Sequence, residues 1–464
     1  ILENDYRTRI EAMVVTSRRS RATKKGIDST PIAMNLETAI IYVIPLIVVF
    51  AIYVKRRKRR GAQDLHRHVE SVTAGLNEPI SLHPLFDPGR CIGSGACASA
   101  CPEKAIGMID GSPQLVNGSA CIGHGACLKA CPTGAINLVF GTERRGVDIP
   151  QVDPYFETNV PGIFIAGELG GMGLIHKAVE QGKQAIRRIS ERQADPDMLH
   201  VVIVGAGPAG LSASLAAKEK QLRFVTLEQE SSLGGTVYHF PRNKIAMTSP
   251  MQVPTVGRIK LGEVSKEALL DLWKGITAKA GLKVSFRERV LAIEHADRGF
   301  FVKTSSQSYL ARNILLAIGR RGTPRPLDVP GEEQAKVVYR LIDAAQYRGQ
   351  HVLVVGGGDS AIEAAVSVAQ QAGTTVSLSY RGQAFNRIKP GNRDRLRESE
   401  SNGRVRVLLE SEVVEIKPDQ VVLKHGTNSF TLRNEAVIVC AGGMMPTQFL
   451  RDIGVMVETR HGEA

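Results

Sequence analysis

Six of the seven cysteines lie between positions 91 and 131, in two copies of one pattern set 30 residues apart. The first copy reads Cys91-Ile-Gly-Ser94-Gly-Ala-Cys97-Ala-Ser-Ala-Cys101-Pro102. The second reads Cys121-Ile-Gly-His124-Gly-Ala-Cys127-Leu-Lys-Ala-Cys131-Pro132. Seven cysteines in 464 residues are too few for a disulfide scaffold. Clustered thiols of this kind point instead to a metal or cluster site. Zinc usually takes C-x2-C pairs, and here those pairs are broken. Zinc, or a fold that survives with degraded clusters, stands as the alternative.

The duplicated Cys-Pro pattern resembles the bacterial two-cluster ferredoxins, whose runs read C-x2-C-x2-C-x3-C-P and whose fourth cysteine crosses to the other cluster. That resemblance covers about residues 86–140 and implies two Fe–S clusters. One would take Cys91, Cys97 and Cys131; the other would take Cys121, Cys127 and Cys101. The sequence departs from the family at the second cysteine of each copy, where Ser94 and His124 stand. His124 can ligate iron through an imidazole nitrogen, and histidine ligation raises the potential. Ser94 is a poorer ligand, so cluster type, four-iron or three-iron, stays open.

Two strand–turn–helix patterns follow. His200-Val-Val-Ile-Val-Gly205-Ala-Gly207-Pro-Ala-Gly210 is an apolar strand entering G-x-G-x-x-G, with a helical stretch behind it. The next strand, Arg223 to Glu228, ends in an acid. Gly205 permits a tight turn, Gly207 lets a pyrophosphate approach, Gly210 packs helix on strand, and Glu228 suits ribose hydroxyls. The second pattern is His351-Val-Leu-Val-Val-Gly356-Gly-Gly358-Asp-Ser-Ala361. Its next strand ends at Arg381, with Arg387 and Lys389 close behind and no acid. Basic residues there suit a 2′-phosphate, which favours NADPH over NADH. Two such units differing at the acid position are far more specific than one.

The pair resembles thioredoxin reductase and its flavin-dependent pyridine nucleotide-disulfide oxidoreductase superfamily over about residues 145–464. Leu233-Gly234-Gly235-Thr236 resembles the family's flavin-side loop. Leu315 to Gly319 and Val437 to Gly442 resemble its two crossover strands. The family's C-terminal FAD segment is absent after Pro446 and stands earlier, as Phe156-Glu-Thr-Asn-Val-Pro-Gly-Ile-Phe-Ile-Ala-Gly167-Glu168-Leu-Gly170. The resemblance therefore implies a circular permutation, with Gly167 and Glu168 facing the flavin ribityl chain and pyrophosphate. Gly171 to Leu174 would pass near the flavin ring. The family's redox C-x-x-C is missing, because Val337 to Gln350 holds no cysteine. Thioredoxin-type exchange then has no nucleophile, and the fused Fe–S module offers another exit for electrons. Cys440 reads as a packing residue and Arg393 as part of a solvated helix face. His176 and His239 read as surface histidines, with donation to the flavin as the alternative, and Arg320 either contacts cofactor phosphates or caps a turn.

Charge and hydropathy locate the remaining part. The net charge of +13 would suggest nucleic acid or an anionic membrane. Residues 1–33 carry +3 and residues 34–60 carry +5, so only +5 spreads over the other 404. No nucleic-acid module is visible. Ala39 to Val54 is an uncharged run followed at once by Lys55-Arg-Arg-Lys-Arg-Arg60. This predicts a single-pass helix in a bacterial inner membrane with the C-terminal side cytoplasmic. Met34 reads as the natural start, and residues 1–33 as a doubtful leader.

The expected architecture is α/β. It has two Rossmann-like domains for FAD and NAD(P)H, preceded by a small α+β two-cluster ferredoxin domain and a single transmembrane helix. The expected parts are an anchor at 34–60, a linker at 61–85 and the ferredoxin-like domain at 86–140. A permuted FAD segment at 141–192, the FAD domain at 193–325, the NAD(P)H domain at 326–442 and a return at 443–464 complete the chain. The expected activity passes electrons between NADPH, FAD and Fe–S clusters to a protein or quinone acceptor. The alternatives are a flavin-direct disulfide or quinone reductase and a non-enzymatic redox sensor. A homodimer is left open.

Overall fold

The computed structural model describes residues 36–73, 77–79, 82–143, 145–193, 195–242, 244–320, 323–385 and 388–462, with side chains from residue 42 onward except at 247 and 323. Two compact units divide at Arg59 and Arg60. A long helix, α1 (Leu36–Thr73), contains the apolar run, with Pro45 inside it, and the basic run. In the first unit the large apolar side chains of α1 from Tyr42 to Tyr53 are 47% to 70% exposed. The expected transmembrane helix is not found: among the described residues no helix is long and apolar enough to cross a membrane. The uncharged stretch with described side chains, Tyr42 to Val54, is shorter than the ~20 residues a span needs and runs straight into six charges. The start of the apolar run, 39–41, lies outside the described side chains, and the doubtful leader 1–33 outside the described residues.

In the second unit, α1 continues to Asp64, which is 9% exposed. Its carboxylate accepts the Met108 backbone N–H at 2.9 Å and a guanidinium N–H of Arg67 at 2.6 Å. Met108 belongs to a module of about fifty residues built twice over. Strand β1 (His83–Phe86) is followed by helix α2 (Ala96–Ala100) and a hairpin of β2 (Ile106–Ile109) and β3 (Ser112–Leu115). Helix α3 (Ala126–Ala130) and β4 (Ile136–Val139) complete it, with β4 antiparallel to β1. Gly95 and Gly125 precede α2 and α3 at φ of 72° and 73°. That left-handed conformation is strained for any residue with a Cβ. Cys97, Cys127, Ile106 and Ile136 form the module's buried core.

Next come β5 (Val147–Pro150), β6 (Ile163–Ile165) and α4 (Ile175–Ser190). They are followed by β7 (Leu199–Val204), α5 (Pro208–Glu219), β8 (Phe224–Leu227) and α6 (Lys266–Lys279). Strands β9 (Val290–Ala296), β10 (Gly299–Thr304) and β11 (Ser308–Leu316) finish a six-stranded sheet. β11 runs parallel to both β7 and β6, pairing Leu315 with Ile203 on one side and with Phe164 on the other. The segment ahead of the first glycine turn is thus a structural strand of the domain that follows it. Arg192 fixes it further. Its guanidinium donates to both Glu157 oxygens, at 2.5 and 2.6 Å, and to Asn313 Oδ1 at 2.9 Å.

A second sheet is wholly parallel, in the order β12 (Val337–Val338), β16 (Ala436–Val439), β13 (His351–Val355), β14 (Thr375–Ser379), β15 (Val405–Leu408). Helix α7 (Asp359–Ala369) links β13 to β14. Near the chain's end, β17 (Val457–Arg460) returns to pair antiparallel with β5. Leu450, Ile453 and Val455 enter the core of the first sheet, beside Ile163 and Ile165.

Helices α4 and α5 cross closely because Gly182 has no side chain; a Cβ there would stand 2.1 Å from the Ala209 carbonyl oxygen. Gly182→Val is expected to destabilise the chain by about 1–3 kcal/mol through overpacking. A lower urea midpoint at unchanged slope is the readout.

Candidate functional site

Both glycine turns open onto one cleft of about 1530 Å³. In the first, β7 ends at Gly205 with φ 104°, and Gly207 begins α5. A Cβ on Gly210 would stand 1.8 Å from the Gly205 carbonyl oxygen, so only glycine lets this helix start so close to its strand. Glu228, 5% exposed at the end of β8, accepts the Ala206 N–H at 2.8 Å and the Glu230 N–H at 3.0 Å. Its carboxylate therefore holds the turn and also lines the cleft. Gly234 (φ 119°) and Gly235 (φ 54°) form the opposing loop, where a Cβ on Gly235 would meet the Gly207 Cα at 3.0 Å.

The early segment supplies a third wall. Gly167 (φ 85°) and Glu168 line the cleft, and Gln181 of α4 accepts the Gly167 N–H at 2.7 Å. Thr236 Oγ1 approaches Glu168 at 3.5 Å. Arg320 lies near Glu168 and Asp148 and donates to the Asp148 carbonyl at 2.9 Å; burial holds its pKa below the usual arginine value. Gln181 was invisible to motif reading, because one more polar residue on a mixed helix face carries no sign of the backbone N–H it meets.

In the second turn, Gly356 sits at φ 143°, and a Cβ there would stand 2.4 Å from the Cys440 carbonyl oxygen. A Cβ on Gly358 would meet nothing within 4 Å. Gly207 is similar, its nearest neighbour being 3.6 Å away. Each helix thus begins at an open concavity framed by backbone N–H groups, the shape and polarity a phosphate needs. These residues fit a dinucleotide at each turn. Gly205, Gly207, Gly235, Gly356, Gly358 and Arg381 all border the cleft, whereas Gly210, Gly234 and Ala361 pack behind it. Arg381 is exposed at the end of β14 and has no ion-pair partner among the described residues. Arg387 lies outside the described residues. Tyr380 fills the space beside Gly357 and Gly382 and stacks on Phe385 at 5.4 Å. Cys440 is half-buried against the second sheet's core.

The cysteines separate into two sets. Cys91, Cys97 and Cys131 line one small cavity together with Ser94. Cys97 feels the charges of Cys91 and Cys131, and Cys121 feels those of Cys101 and Cys127. These are the crossed trios implied by the ferredoxin resemblance. Among the described residues no three His, Cys, Asp or Glu side chains could hold a single metal ion. Cysteine thiolates are the usual ligands of iron–sulfur clusters, so the chemistry of these two sets fits such a group. His124 is half-buried, whereas Ser94 is exposed.

Burial pushes the Cys121 thiol up to about 11. Cys131 goes the other way, lowered by hydrogen bonds from Thr133 and its neighbours. Alkylation needs the thiolate. In metal-free protein at pH 8, Cys131 is expected to label first and Cys121 last. Cys121 labelling should rise about tenfold per pH unit until its pKa is reached. Peptide mass analysis of timed alkylation is the readout.

Residues 202–463 match the family described as pyridine nucleotide-disulphide oxidoreductase. Residues 83–132 match a 4Fe-4S dicluster domain. Over 267 residues the chain is 25% identical to the bacilliredoxin reductase Bdr of Bacillus subtilis (strain 168), covering 56% of this chain and 82% of that one. It is 27% identical to a ferredoxin–NADP reductase of Streptococcus pneumoniae (strain Hungary19A-6), covering 47% of this chain and 69% of that one. Among solved structures it is similar to the bacillithiol disulfide reductase Bdr of Staphylococcus aureus, with a TM-score of 0.50 and 25% identity. That match covers 56% of this chain and 80% of the other.

Proposed function

The chain belongs to the pyridine nucleotide-disulphide oxidoreductase family, and from that premise we propose that it moves electrons between NADPH and a one-electron protein partner. The observation that carries this reading is the single cleft bordered by both glycine turns, on a chain whose N-terminal side holds two thiol trios. Bound FAD supplies the chemistry that accepts a hydride and releases electrons singly; the protein's part is binding, orientation and electrostatics. Gly205, Gly207, Gly235, Gly167 and Glu168 form the flavin wall in this reading, with Gly234 behind it shaping the loop and Glu228 holding the first turn against the ribose. Gly356, Gly358 and Ala361 form the nicotinamide nucleotide turn, and Arg381 faces its 2′-phosphate. Cys91, Cys97, Cys131 and Ser94 hold one cluster; Cys121, Cys127, Cys101 and His124 hold the other. Overall, one NADPH yields NADP⁺, one proton and two electrons, which reduce two one-electron acceptors.

The missing dithiol favours this over direct disulfide reduction, since Val337 to Gln350 holds no cysteine. The names of the relatives support a redox protein as partner. Anaerobic NADPH titration of the holoprotein with a one-electron acceptor tests the reading. Turnover lost in Cys97→Ala and Cys127→Ala supports it. Unchanged turnover in those variants means the flavin acts on its substrate directly, a disulfide or a quinone. No turnover with any acceptor means a sensor. Arg381→Ala is expected to raise the KM for NADPH about tenfold while leaving NADH within about twofold, the loss of one charge-assisted contact.

We further propose that the chain sits at a bacterial inner membrane with its redox part on the cytoplasmic side. Support comes from the exposed apolar side chains of α1 from Tyr42 to Tyr53 and from the six bases that follow them. Cosedimentation of the full chain with phosphatidylglycerol vesicles, lost on deletion of residues 1–59, is the expected result.

A further inference from the structure

The two halves of the cysteine module are alike in sequence and unlike in surroundings. Ile92 is 69% exposed and Ser94 is exposed, whereas their counterparts Ile122 and His124 are half-buried. The second copy is therefore the covered one. Part of what covers the module's rear is the cleft wall itself. A Cβ on Gly171 would stand 2.7 Å from both Phe140 Cζ and Ile149 Cδ1, so the strand leaving the module packs on the turn after Glu168.

His176 lies five residues further on, at the start of α4. Met172 to Ile175 and Ala178 border the cleft, but His176 itself does not. The charges acting on its ring are those of Lys177, His124 and Lys129. The last two bracket Cys127 in the second copy. Its Nδ1 is buried and has no hydrogen-bond partner among the described residues. A buried imidazole nitrogen left unpaired forfeits its hydration with nothing in return, and such an atom needs a partner from outside the chain, a water or a bound group. Reading the ring as a surface histidine does not account for this.

We propose that His176 is a positioning residue of the second cysteine site, donating from Nδ1 to the cluster sulfide or ligand atom held by Cys101, Cys121, Cys127 and His124. His176 thereby joins that site, and not the one at Cys91, Cys97 and Cys131, to the flavin wall of the cleft. A hydrogen bond to a cluster sulfur stabilises the more negative, reduced state and raises the potential. This rests on the reading that both trios hold Fe–S clusters.

The test uses the full chain with its clusters and flavin in place, and redox titrations followed by EPR for the clusters and by absorbance for the flavin. His124→Cys and Ser94→Cys assign the two cluster signals. In His176→Phe the signal moved by His124→Cys is expected to shift to a more negative potential, while the other cluster and the flavin hold theirs. His176→Asn, which keeps an N–H near the place of Nδ1, is expected to restore most of that shift. A His176→Phe shift in the flavin or in the first-site signal overturns the proposal, as does an unmoved second-site signal in both variants. Wild-type protein with flavin but without cluster signals removes the underlying reading, and the proposal with it. Cluster signals present but indifferent to His176 overturn the proposal alone.

Discussion

The parallel pairing of Ile163–Ile165 with Ile314–Leu316 is the constraint on which the rest of the second unit depends. It places the segment after the cysteine module inside the sheet of the first dinucleotide unit. Three apolar residues, each no more than 1% exposed, would otherwise have no partner. Once they pair, Gly167 and Glu168 emerge at the cleft beside Gly205 and Gly207. Helix α4 must then lie on α5, which Gly182 permits. The turn after Glu168 then packs on Phe140 and Ile149, since a Cβ on Gly171 would stand 2.7 Å from an atom of each.

Much of this was legible because it depends on local spacing. The glycine turns are set by short-range backbone sterics, and a G-x-G-x-x-G between strand and helix announces them. The crossed thiol trios were likewise readable, since a fixed 30-residue offset with Cys-Pro ends carries the pattern with it. The displaced flavin segment was readable only through family likeness, because three apolar residues in a row specify a buried strand without saying which strand they join. What stayed hidden depends on distant partners. Gln181 receives its role from Gly167, Arg320 from Glu168 and Asp148, and His176 from residues some fifty positions away. Arg393, read as part of a solvated helix face, has a buried Nη2 without a hydrogen-bond partner among the described residues. The apolar run ahead of Lys55 gave the opposite error, for an uncharged stretch implied a span that the described helix does not contain.

The two glycine turns divide their work in a way that their similar sequences conceal. Gly205, Gly210 and Gly356 are needed by the protein, since a side chain at any of them would strike backbone within 2.5 Å. Gly358 faces open space, which in the proposed reading the nucleotide phosphate fills. Gly207 shares this openness but also abuts Gly235 across the cleft. Substitution at the first kind damages folding, and substitution at the second damages binding. The terminal charges follow the same logic: Glu228 is tied to backbone N–H groups, while Arg381 stands unpaired.

The strand pairing at Ile163–Ile165 also has a consequence for synthesis. The chain emerges from the ribosome N-terminus first, at about 5–20 residues per second. Residues 163–165 therefore appear roughly eight to thirty seconds before residues 314–316 can receive them at that pace. During that interval Phe164 can already pack on Ala185, Ile186 and Val201, its core neighbours, while the strand edge that meets β11 stays open. The cysteine module has no such wait, because β1 and β4 are both complete by residue 139. The cysteine module can thus fold on the nascent chain before the sheet beside it closes.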